Sequence, residues 1–234
     1  MPAYKSLFIS LPDDPEFQSE SSPAPFTTDP KHVAQLLTAR GVSIAQDAVI
    51  SSVPRICFTQ VTDEKGYSVY SELNQAETLA FHGAITIGPG CFLESNPVTP
   101  PFHSSCIKLT SVKANDKPAG KITLGTGVQM LGVAIVAYEH VEIGDYVGIG
   151  PGVTIMDCDG HTTEGRGTDT EIARLESAPV KIGANSWIGA GAWIMKGVQI
   201  GENCVIGANS VVIKSIPDNT VVMGNPARVV KKVS

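Results

Sequence analysis

Residues 181–212 read KIGANSWIGAGAWIMKGVQIGENCVIGANSVV, and this stretch repeats with a period of six. A helix of period 3.6 does not keep every sixth residue on one face, and a strand of period 2 does not need the recurring glycines. The period predicts a solenoid in which each six-residue step is a short strand plus a corner, and three steps complete one turn. Successive turns then stack as parallel strands. The β-branched residues that mark the period are Ile182, Ile188, Ile194, Ile200, Ile206 and Val212.

The same period is present further upstream, at Ile143, Ile149 and Ile155. We predict that these aliphatic side chains point inward and that the glycine after most of them permits the bend. A small or β-branched side chain four places after each aliphatic residue is expected to fill the tapered interior. These residues are Val147, Val153, Ser186, Ala192, Val198, Cys204 and Ser210.

The solenoid is expected to occupy residues 84–216, because weaker repeats occur at residues 84–93 and 121–144. Residues 94–120 lie between these repeats and lose the period, so they are expected to form an insertion or an irregular coil. The predicted fold class is therefore all-β, a parallel β-helix with a protruding loop. The last segment, residues 217–234, is expected to be a C-terminal tail.

The regular period is interrupted after Ile155 and resumes 27 positions later, which is not a multiple of six. The intervening loop, residues 156–181, is polar and contains glycines that allow it to turn. A long loop on a rigid scaffold is a common place for a functional site. The loop opens with MDCDGH, which brings the carboxylates of Asp157 and Asp159 close to His161 along the chain.

Residues 1–83 are expected to form a separate, small region of mixed α and β structure. Residues 12–30 are rich in Pro, Ser and acidic residues, which indicates an irregular arm. A short helix is predicted to begin at Pro30, after an acidic N-cap, and to end before Gly41. Residues 56–73 alternate apolar and polar side chains around DEKG, which predicts a hairpin.

The composition argues against several classes of function. The formal net charge of the 234 residues is -6 and Lys and Arg form no runs, which argues against nucleic-acid binding. The five cysteines are scattered without a CxxC pair, so neither a disulfide framework nor a zinc site is predicted. The apolar run at residues 7–11 is too short for a signal peptide or a membrane span. We therefore expect a cytoplasmic protein that contacts no membrane and binds no metal.

Three segments together resemble a known family: IGDYVGIGPGVTIM at residues 143–156, the repeats of residues 181–212, and GNPARVV at residues 224–230. They are similar to the hexapeptide-repeat acyltransferases, in the branch of the maltose/galactoside and polysaccharide O-acetyltransferases. The resemblance covers residues 84–234. It implies a left-handed parallel β-helix, a homotrimer with active sites between subunits, and acetyl-CoA as the donor cosubstrate.

The resemblance also implies a catalytic residue, because the family carries a catalytic histidine just after the coil, in a Gly-His pair, and the match here is His161. Transfer of an acetyl group from a thioester to a hydroxyl requires removal of a proton from a weak nucleophile. An imidazole titrates near neutral pH and suits this role of general base. The second ring nitrogen needs an acceptor that fixes the tautomer. Asp157, Asp159 and a backbone carbonyl are the alternatives that the sequence leaves open.

The residues expected to bind the cosubstrate also follow from the resemblance. Trp187 matches an aromatic residue that contacts the pantetheine arm. The backbone N–H of Ala190 is expected to stabilise the oxyanion, and the amide region of Ala208 is expected to meet the pantetheine. Lys214 and Arg228 are the cations expected near the phosphates of the coenzyme.

The identity of the acceptor is less well defined, because Leu131 stands where the galactoside enzymes have an asparagine that positions the acceptor. A hydroxyl of a sugar or a glycan-like molecule is the first expectation. An amino group of an amino sugar or another small molecule is the alternative, and a non-catalytic scaffold is the third. A γ-type carbonic anhydrase is disfavoured, because its metal needs three converging histidines. This region offers His140 and His161, with His103 in an irregular segment.

Overall fold

The computed structural model describes residues 3–9, 30–52, 54–64, 72–96 and 105–233, and its strands form three long sheets. Sheet A contains β1 (Ala3–Ile9), β4 (Arg55–Thr62), β7 (Lys108–Ala114), β10 (Ala134–Ala137), β13 (Thr154–Met156), β16 (Trp193–Ile194) and β19 (Val211–Val212). Sheet B contains β2 (Ser43–Ile44), β5 (Ile85–Ile87), β8 (Lys121–Leu124), β11 (His140–Ile143), β14 (Val180–Ile182) and β17 (Gln199–Ile200). Sheet C contains β3 (Val49–Ile50), β6 (Phe92–Glu94), β9 (Gln129–Leu131), β12 (Gly148–Ile149), β15 (Trp187–Ile188), β18 (Val205–Ile206), β20 (Thr220–Met223) and β21 (Arg228–Lys232).

From β1 to β19 the chain visits the sheets in a fixed order, from A to B to C and back to A, so each circuit is one coil of a parallel β-helix. Neighbouring coils are in register, and Ile188 of β15 pairs with Ile149 of β12 on one side and with Ile206 of β18 on the other. The predicted interior is confirmed, because every aliphatic residue that marks the period is at most 2% exposed. The small residues four places later are also buried.

The coils begin earlier than the sequence predicted. Strand β2, which starts at Ser43, pairs in parallel with β5, and β3 pairs with β6. The expected boundary at residue 84 is therefore too late, because β2, β3 and β4 already belong to the β-helix. The six-residue period was hidden there because residues 63–84 separate β4 from β5 and interrupt the count.

The short helix predicted to begin at Pro30 is confirmed, and it packs against the first coil. Helix α1 (Pro30–Ala39) is followed by Gly41, whose φ of 90° lies in the left-handed region that favours glycine. Val33 and Leu37 are fully buried in the core that runs through the coils. A second short helix, α2 (Gln75–Leu79), lies between β4 and β5. Within the described ranges, no helix is long and apolar enough to cross a membrane.

The first strand of the predicted hairpin around DEKG corresponds to β4, and both edges of β4 are paired with other strands. Strand β4 pairs with β1 in antiparallel fashion along one edge and with β7 in parallel along the other. The second half of that hairpin, residues 65–71, lies outside the described residues, and so do residues 10–29 of the predicted arm. Residues 94–120, expected as irregular, contribute the long strand β7 to sheet A.

The expected C-terminal tail also joins a sheet. Strand β20 continues sheet C by pairing in parallel with β18, and β21 folds back on β20 in antiparallel fashion. The corner between them starts at Gly224, whose carbonyl accepts a hydrogen bond from the N–H of Val211 at 3.0 Å. Residues 217–234 therefore extend and close the last coil.

The corners of the coils define two edges on either side of sheet A. At the A–B edge the chain passes from sheet A to sheet B, and at the C–A edge it passes from sheet C to sheet A. Among the described residues that follow β4, excursions from the coil at the A–B edge occur at residues 63–64 and 72–84, at residues 115–120 and at residues 157–179. Because these excursions share one edge, they are placed where they can contact each other.

Candidate active site in the loop of residues 157–179

The loop of residues 157–179 leaves and re-enters the coil through a closed neck. The buried carboxylate of Asp157 accepts hydrogen bonds from the N–H groups of Tyr138 at 2.7 Å and Glu139 at 2.8 Å. Its carbonyl accepts a hydrogen bond from the N–H of Ala178 at 2.9 Å. Burial raises the pKa of Asp157, while the amide hydrogen bonds act in the opposite direction. Asp157 is thus occupied in joining the two ends of the loop to the preceding coil.

A lysine from the following coil forms a second clamp on the neck. The ammonium of Lys196 lies 2.6 Å from Asp159 Oδ2 and 3.3 Å from Glu176 Oε2. The hydrogen bond that Lys196 donates to Asp159 is the largest cause of the raised pKa of Lys196. These contacts hold the outgoing and returning strands of the neck against the coil that contains β16.

The loop histidine is paired with a glutamate that lies ten residues further along the loop. The imidazole Nδ1 of His161 lies 2.8 Å from Oε1 of Glu171. The Glu171 side chain is only 1% exposed, whereas the His161 side chain is 45% exposed. The N–H of Gly167 donates to Glu171 Oε2 at 2.6 Å, and the N–H of Thr162 donates to Oε1 at 3.3 Å. The pKa of Glu171 is lowered, first by the hydrogen bond from Gly167 and then by that from His161.

The group that orients His161 is therefore Glu171, and the two aspartates proposed from the sequence are not. Asp157 binds backbone amides and Asp159 binds Lys196, and neither contacts His161 among the described residues. The sequence placed Glu171 among several charged residues of the loop. A weak signal was available, because Glu171 directly precedes Ile172, the first aliphatic side chain after the polar segment.

The loop has an apolar underside that seats it on the coils. Ile172 and Leu175 are buried in a small cluster with Val61 of β4 and Val112 of β7. Tyr4 of β1 packs against the same cluster, and the charge of Glu171 contributes to the raised pKa of Tyr4, after burial. The N-terminal strands thus form the surface on which the loop rests.

An arginine organises the outer part of the loop. The Arg174 guanidinium donates hydrogen bonds to the carbonyls of Thr170 at 3.2 Å, Glu164 at 2.9 Å and Gly165 at 3.0 Å, and to the Thr168 hydroxyl at 3.1 Å. Most donors of this side chain are therefore used within the loop itself. This arrangement fixes the turn that leads from His161 to Glu171.

A cavity of about 260 Å³ opens beside the histidine. It is lined by His161 and Thr162, together with the carboxylates of Asp159, Glu164 and Glu176. These groups offer acceptors and hydroxyls that suit hydrogen bonding to a polar molecule. In the part of the chain that the structure describes, no three His, Cys, Asp or Glu side chains are grouped to hold a metal ion.

The tryptophan expected to contact the coenzyme lies on the outer face of sheet C. Trp187 is 53% exposed and pairs with Gly148 on the preceding coil. A Cβ atom at Gly148 would lie 2.6 Å from the indole ring, so glycine is needed where the ring crosses the strand. Trp187 therefore presents a flat aromatic surface to the outside.

The two alanines expected to use their backbone amides lie on successive coils at the C–A edge. The carbonyl of Ala190 accepts a hydrogen bond from the N–H of Asn209 at 2.8 Å. Neither Ala190 nor Ala208 donates its N–H to another described residue. Both amides are therefore available to donate to a ligand along this edge.

The two cations expected near phosphates lie at different edges. Lys214 is exposed and follows β19 at the A–B edge. Arg228 is exposed at the start of β21, and its Nη1 donates to the carbonyl of Ala227 at 3.0 Å. The N–H of Ala227 in turn donates to the carbonyl of Val211 at 2.8 Å. Arg228 thus belongs with the alanines, and Lys214 lies on the side of the loop.

Within one chain, the predicted site residues form two separate groups. The cavity beside His161 is not lined by Ala190 or Trp187 among the described residues. His161 lies in the loop that leaves the coil at the A–B edge. Ala190 lies at the C–A edge, at the opposite end of the sheet A strands. The nearby sheet A strands have two to four residues, so roughly 10 Å separates the two edges at about 3.3 Å per residue.

Comparison with known proteins agrees with the repeat seen in sequence and structure. Residues 179–214 match the bacterial transferase hexapeptide family (six repeats). The predicted resemblance to the hexapeptide-repeat family is confirmed, and the fold is a left-handed parallel β-helix.

Solved structures share parts of this architecture. A maltose O-acetyltransferase from Clostridium difficile 630 is 39% identical, covering 48% of this chain and 59% of its own, with a TM-score of 0.41. This chain therefore spans about three fifths of that relative. AntD, an N-acyltransferase from Bacillus cereus solved with dTDP and 3-hydroxybutyryl-CoA, is 18% identical. The match covers 88% of this chain and 92% of AntD with a TM-score of 0.61, so the two share the fold.

Proposed function

We propose that the protein is an acyltransferase that moves an acetyl group from acetyl-CoA to a hydroxyl of a sugar or a glycan-like acceptor. The observation that carries this proposal is the His161–Glu171 pair, held in a loop that protrudes from a hexapeptide-repeat coil. Such a pair provides a general base with a fixed tautomer beside a polar cavity.

The state of Glu171 sets the role of each ring nitrogen of His161. Because the pKa of Glu171 is lowered, this carboxyl is ionised at neutral pH and acts as an acceptor only. Nδ1 of His161 therefore carries the ring proton and donates it to Glu171. Nε2 keeps its lone pair and has no partner among the described residues. Nε2 is thus the nitrogen that accepts a proton from the acceptor.

The reaction proceeds as a direct transfer. His161 Nε2 removes the proton of the acceptor hydroxyl while the oxygen attacks the thioester carbon of acetyl-CoA. The new C–O bond forms a tetrahedral intermediate, whose oxyanion accepts a hydrogen bond from the N–H of Ala190. Collapse of the intermediate breaks the C–S bond, and the imidazolium returns the proton to the thiolate of CoA.

The active site is completed between two copies of the chain. The loop with His161 and Lys214 occupies the A–B edge, while Ala190, Ala208 and Arg228 occupy the C–A edge. Two copies packed edge to edge bring these groups together, and a closed ring of three such contacts gives the homotrimer. In this arrangement Trp187 and the Ala208 amide contact the pantetheine arm, and Lys214 and Arg228 contact the coenzyme phosphates.

An amino group on a sugar is the second candidate acceptor. AntD is an N-acyltransferase solved with dTDP and 3-hydroxybutyryl-CoA, and it shares the fold over most of this chain. The two candidates differ in the nucleophile and use the same donor and base. Paired acceptors that differ only in a hydroxyl or an amino group at one carbon distinguish them.

The test measures release of the CoA thiol from acetyl-CoA with a panel of sugars, oligosaccharides, amino sugars and nucleotide sugars. Calorimetry with CoA provides a measure of donor binding that does not depend on the acceptor. His161→Ala is expected to lower kcat by about 10²–10⁴-fold and to leave CoA affinity nearly unchanged. His82→Ala, an exposed histidine outside the loop, is the matched control and keeps full activity.

Three results would contradict the proposal. Absence of CoA binding to the wild-type protein removes the transferase, and full activity of His161→Ala removes the assigned base. A fully active monomer in analytical ultracentrifugation removes the site between subunits.

A further inference from the structure

We propose that Asp63 is a positioning residue for the His161–Glu171 pair, a role that rests on the proposed function. Asp63 directly follows strand β4, in the N-terminal part of the chain, and is far from the loop in sequence. Its carboxylate nevertheless binds the backbone of the loop at the residues that come directly after Glu171.

Both oxygens of Asp63 are used in this contact. Oδ1 accepts a hydrogen bond from the N–H of Ile172 at 2.9 Å, and Oδ2 accepts one from the N–H of Ala173 at 2.7 Å. Ile172 and Ala173 open a 3₁₀ helix, whose first N–H groups have no acceptor within the helix itself. The carboxylate therefore caps this turn and fixes the backbone from which the Glu171 side chain projects.

Asp63 is itself held in place by the neighbouring excursion at the A–B edge. Its N–H donates to Asn115 Oδ1 at 2.9 Å, and Asn115 Nδ2 donates to Asp63 Oδ2 at 3.1 Å. Asn115 follows β7 with a φ of 48°, in the left-handed region that asparagine tolerates. Residues of two neighbouring coils thus fix the position of the Asp63 carboxylate that binds the loop.

The contact lies at the far end of the loop. In sheet A, β4 is separated from β13 by β7 and β10, so the loop folds back over three strand spacings, or roughly 14 Å. Residues 163–170 between the two ends are exposed. Asp63 and the apolar contact of Ile172 with Val61 are therefore what anchor the Glu171 end of the loop to the coils.

This placement gives a catalytic consequence. Glu171 reaches His161 from a backbone that Asp63 fixes, so a shift of that backbone weakens the contact at Nδ1. A misplaced base lowers the rate of proton transfer without removing the donor site at the C–A edge. Loss of Asp63 is therefore expected to lower kcat and to leave the KM for acetyl-CoA unchanged.

The experiment compares Asp63→Ala and Asp63→Asn in the 234-residue chain with Asp116→Asn. Asp116 is an exposed carboxylate that lines the same small cavity beside Asp63, and its variant is expected to behave as the wild type. Asp63→Ala is expected to lower kcat by about tenfold. Asp63→Asn keeps one acceptor oxygen and is expected to lose less activity. It carries the test if the alanine variant does not fold.

A double-mutant cycle separates positioning from a general loss of structure. If Asp63 acts through Glu171, then Asp63→Ala combined with Glu171→Gln has the kcat of Glu171→Gln alone, within about twofold. Independent effects would multiply, and that result overturns the proposal. Thermal melting of each variant confirms that the comparison is made between folded proteins.

Amide hydrogen exchange supplies a readout that does not use activity. Residues 164–176 are expected to exchange about tenfold faster in Asp63→Ala than in Asp116→Asn. If the wild-type protein is active, then equal exchange in Asp63→Ala and Asp116→Asn, or full activity of Asp63→Ala, overturns the positioning role. Neither result overturns the proposed function. A wild-type protein without acyl transfer overturns the proposed function, and the catalytic role of Asp63 falls with it.

Discussion

The coils of residues 180–212 and the loop of residues 157–179 are joined end to end but are stabilised in opposite ways. In the coils, each aliphatic residue stacks on an equivalent one from the next coil, as Ile182 does on Ile200. In the loop, most contacts run from a single charged side chain to several backbone groups, as with Glu171 and Arg174.

This difference separates stability from function. The coils repeat similar contacts from one coil to the next, so the loss of one contact weakens the whole scaffold through cooperative packing. The loop depends on a few carboxylates, and each one fixes a particular part of the backbone. Substitutions in the coil should therefore act mainly on the free energy of unfolding, and substitutions in the loop should act more on activity.

The largest expected effect on stability comes from truncating one buried aliphatic side chain of the coils. Ile188 is fully buried between Ile149 and Ile206, so Ile188→Ala leaves a cavity that the rigid coils fill poorly. We expect it to reduce the free energy of unfolding by about 4 kcal/mol, as measured by denaturant titration. Ile213→Ala, at a 51% exposed isoleucine of the same coil region, should change it by less than about 0.5 kcal/mol.

A somewhat smaller loss is expected where two coils approach closely. A Cβ atom at Gly183 would lie 2.5 Å from the backbone carbon of Gly201, so Gly183→Ala must push the coils apart. The expected cost is about 3 kcal/mol, the upper part of the range for overpacking. In the loop, Gly167 has a φ of 77° and open space around it, so Gly167→Ala should cost about 1 kcal/mol from backbone strain alone. Equal melting temperatures for the two variants would contradict this distinction.

The sequence predicted the coils better than the loop, because the six-residue period can be recognised in the sequence without knowledge of three-dimensional contacts. Each isoleucine at the sixth position has the same neighbours in every coil, so one rule places all of them. The rule failed upstream of residue 84, where insertions interrupt the count, although β2 and β3 occupy the same sheets as the later strands. It failed again after residue 216, where β20 continues sheet C without an isoleucine or a following glycine at the expected place.

The site was predicted only in part, for the complementary reason. His161 is proposed from its neighbours along the chain, whereas its hydrogen-bond partner Glu171 is defined by the way the loop folds back on itself. Proximity in sequence favoured Asp157 and Asp159, but the direction of each side chain depends on amides and cations from other coils. The role proposed for Asp63 was out of reach for the same reason, since it depends on the spatial order of β4 and β13.

The neck of the loop lies between the two regions and should show an intermediate effect. Asp157→Ala leaves the N–H groups of Tyr138 and Glu139 without their acceptor in a buried place. We expect a loss of about 2 kcal/mol in the free energy of unfolding, measured by denaturant titration. Asp159→Ala removes a half-exposed partner of Lys196 and should cost less than about 1 kcal/mol. A reversed order of these two losses would show that the amide contacts do not close the neck.

The smallest effect on stability and a larger one on activity are expected at Glu171. Glu171→Gln keeps the size of the side chain but removes the charge that fixes the His161 tautomer. Its kcat should fall by about tenfold or more, while its melting temperature should stay within a few degrees of the wild type. Asp169→Asn, at an exposed carboxylate of the same loop outside the cavity beside His161, is the matched control and should remain active.

The pH dependence of this pair sharpens the assignment. The pKa of Glu171 in the folded protein lies below its ordinary value of 4.5, so ionised Glu171 stabilises the fold above that pH. Its contribution is lost as the pH falls through the lowered pKa, because the carboxyl then becomes neutral like glutamine. The difference in melting temperature between wild type and Glu171→Gln should therefore shrink as the pH falls below 4.5. A difference that persists unchanged in acid would mean that the glutamate acts through its shape, and the charge-based role in orienting His161 would have to be abandoned.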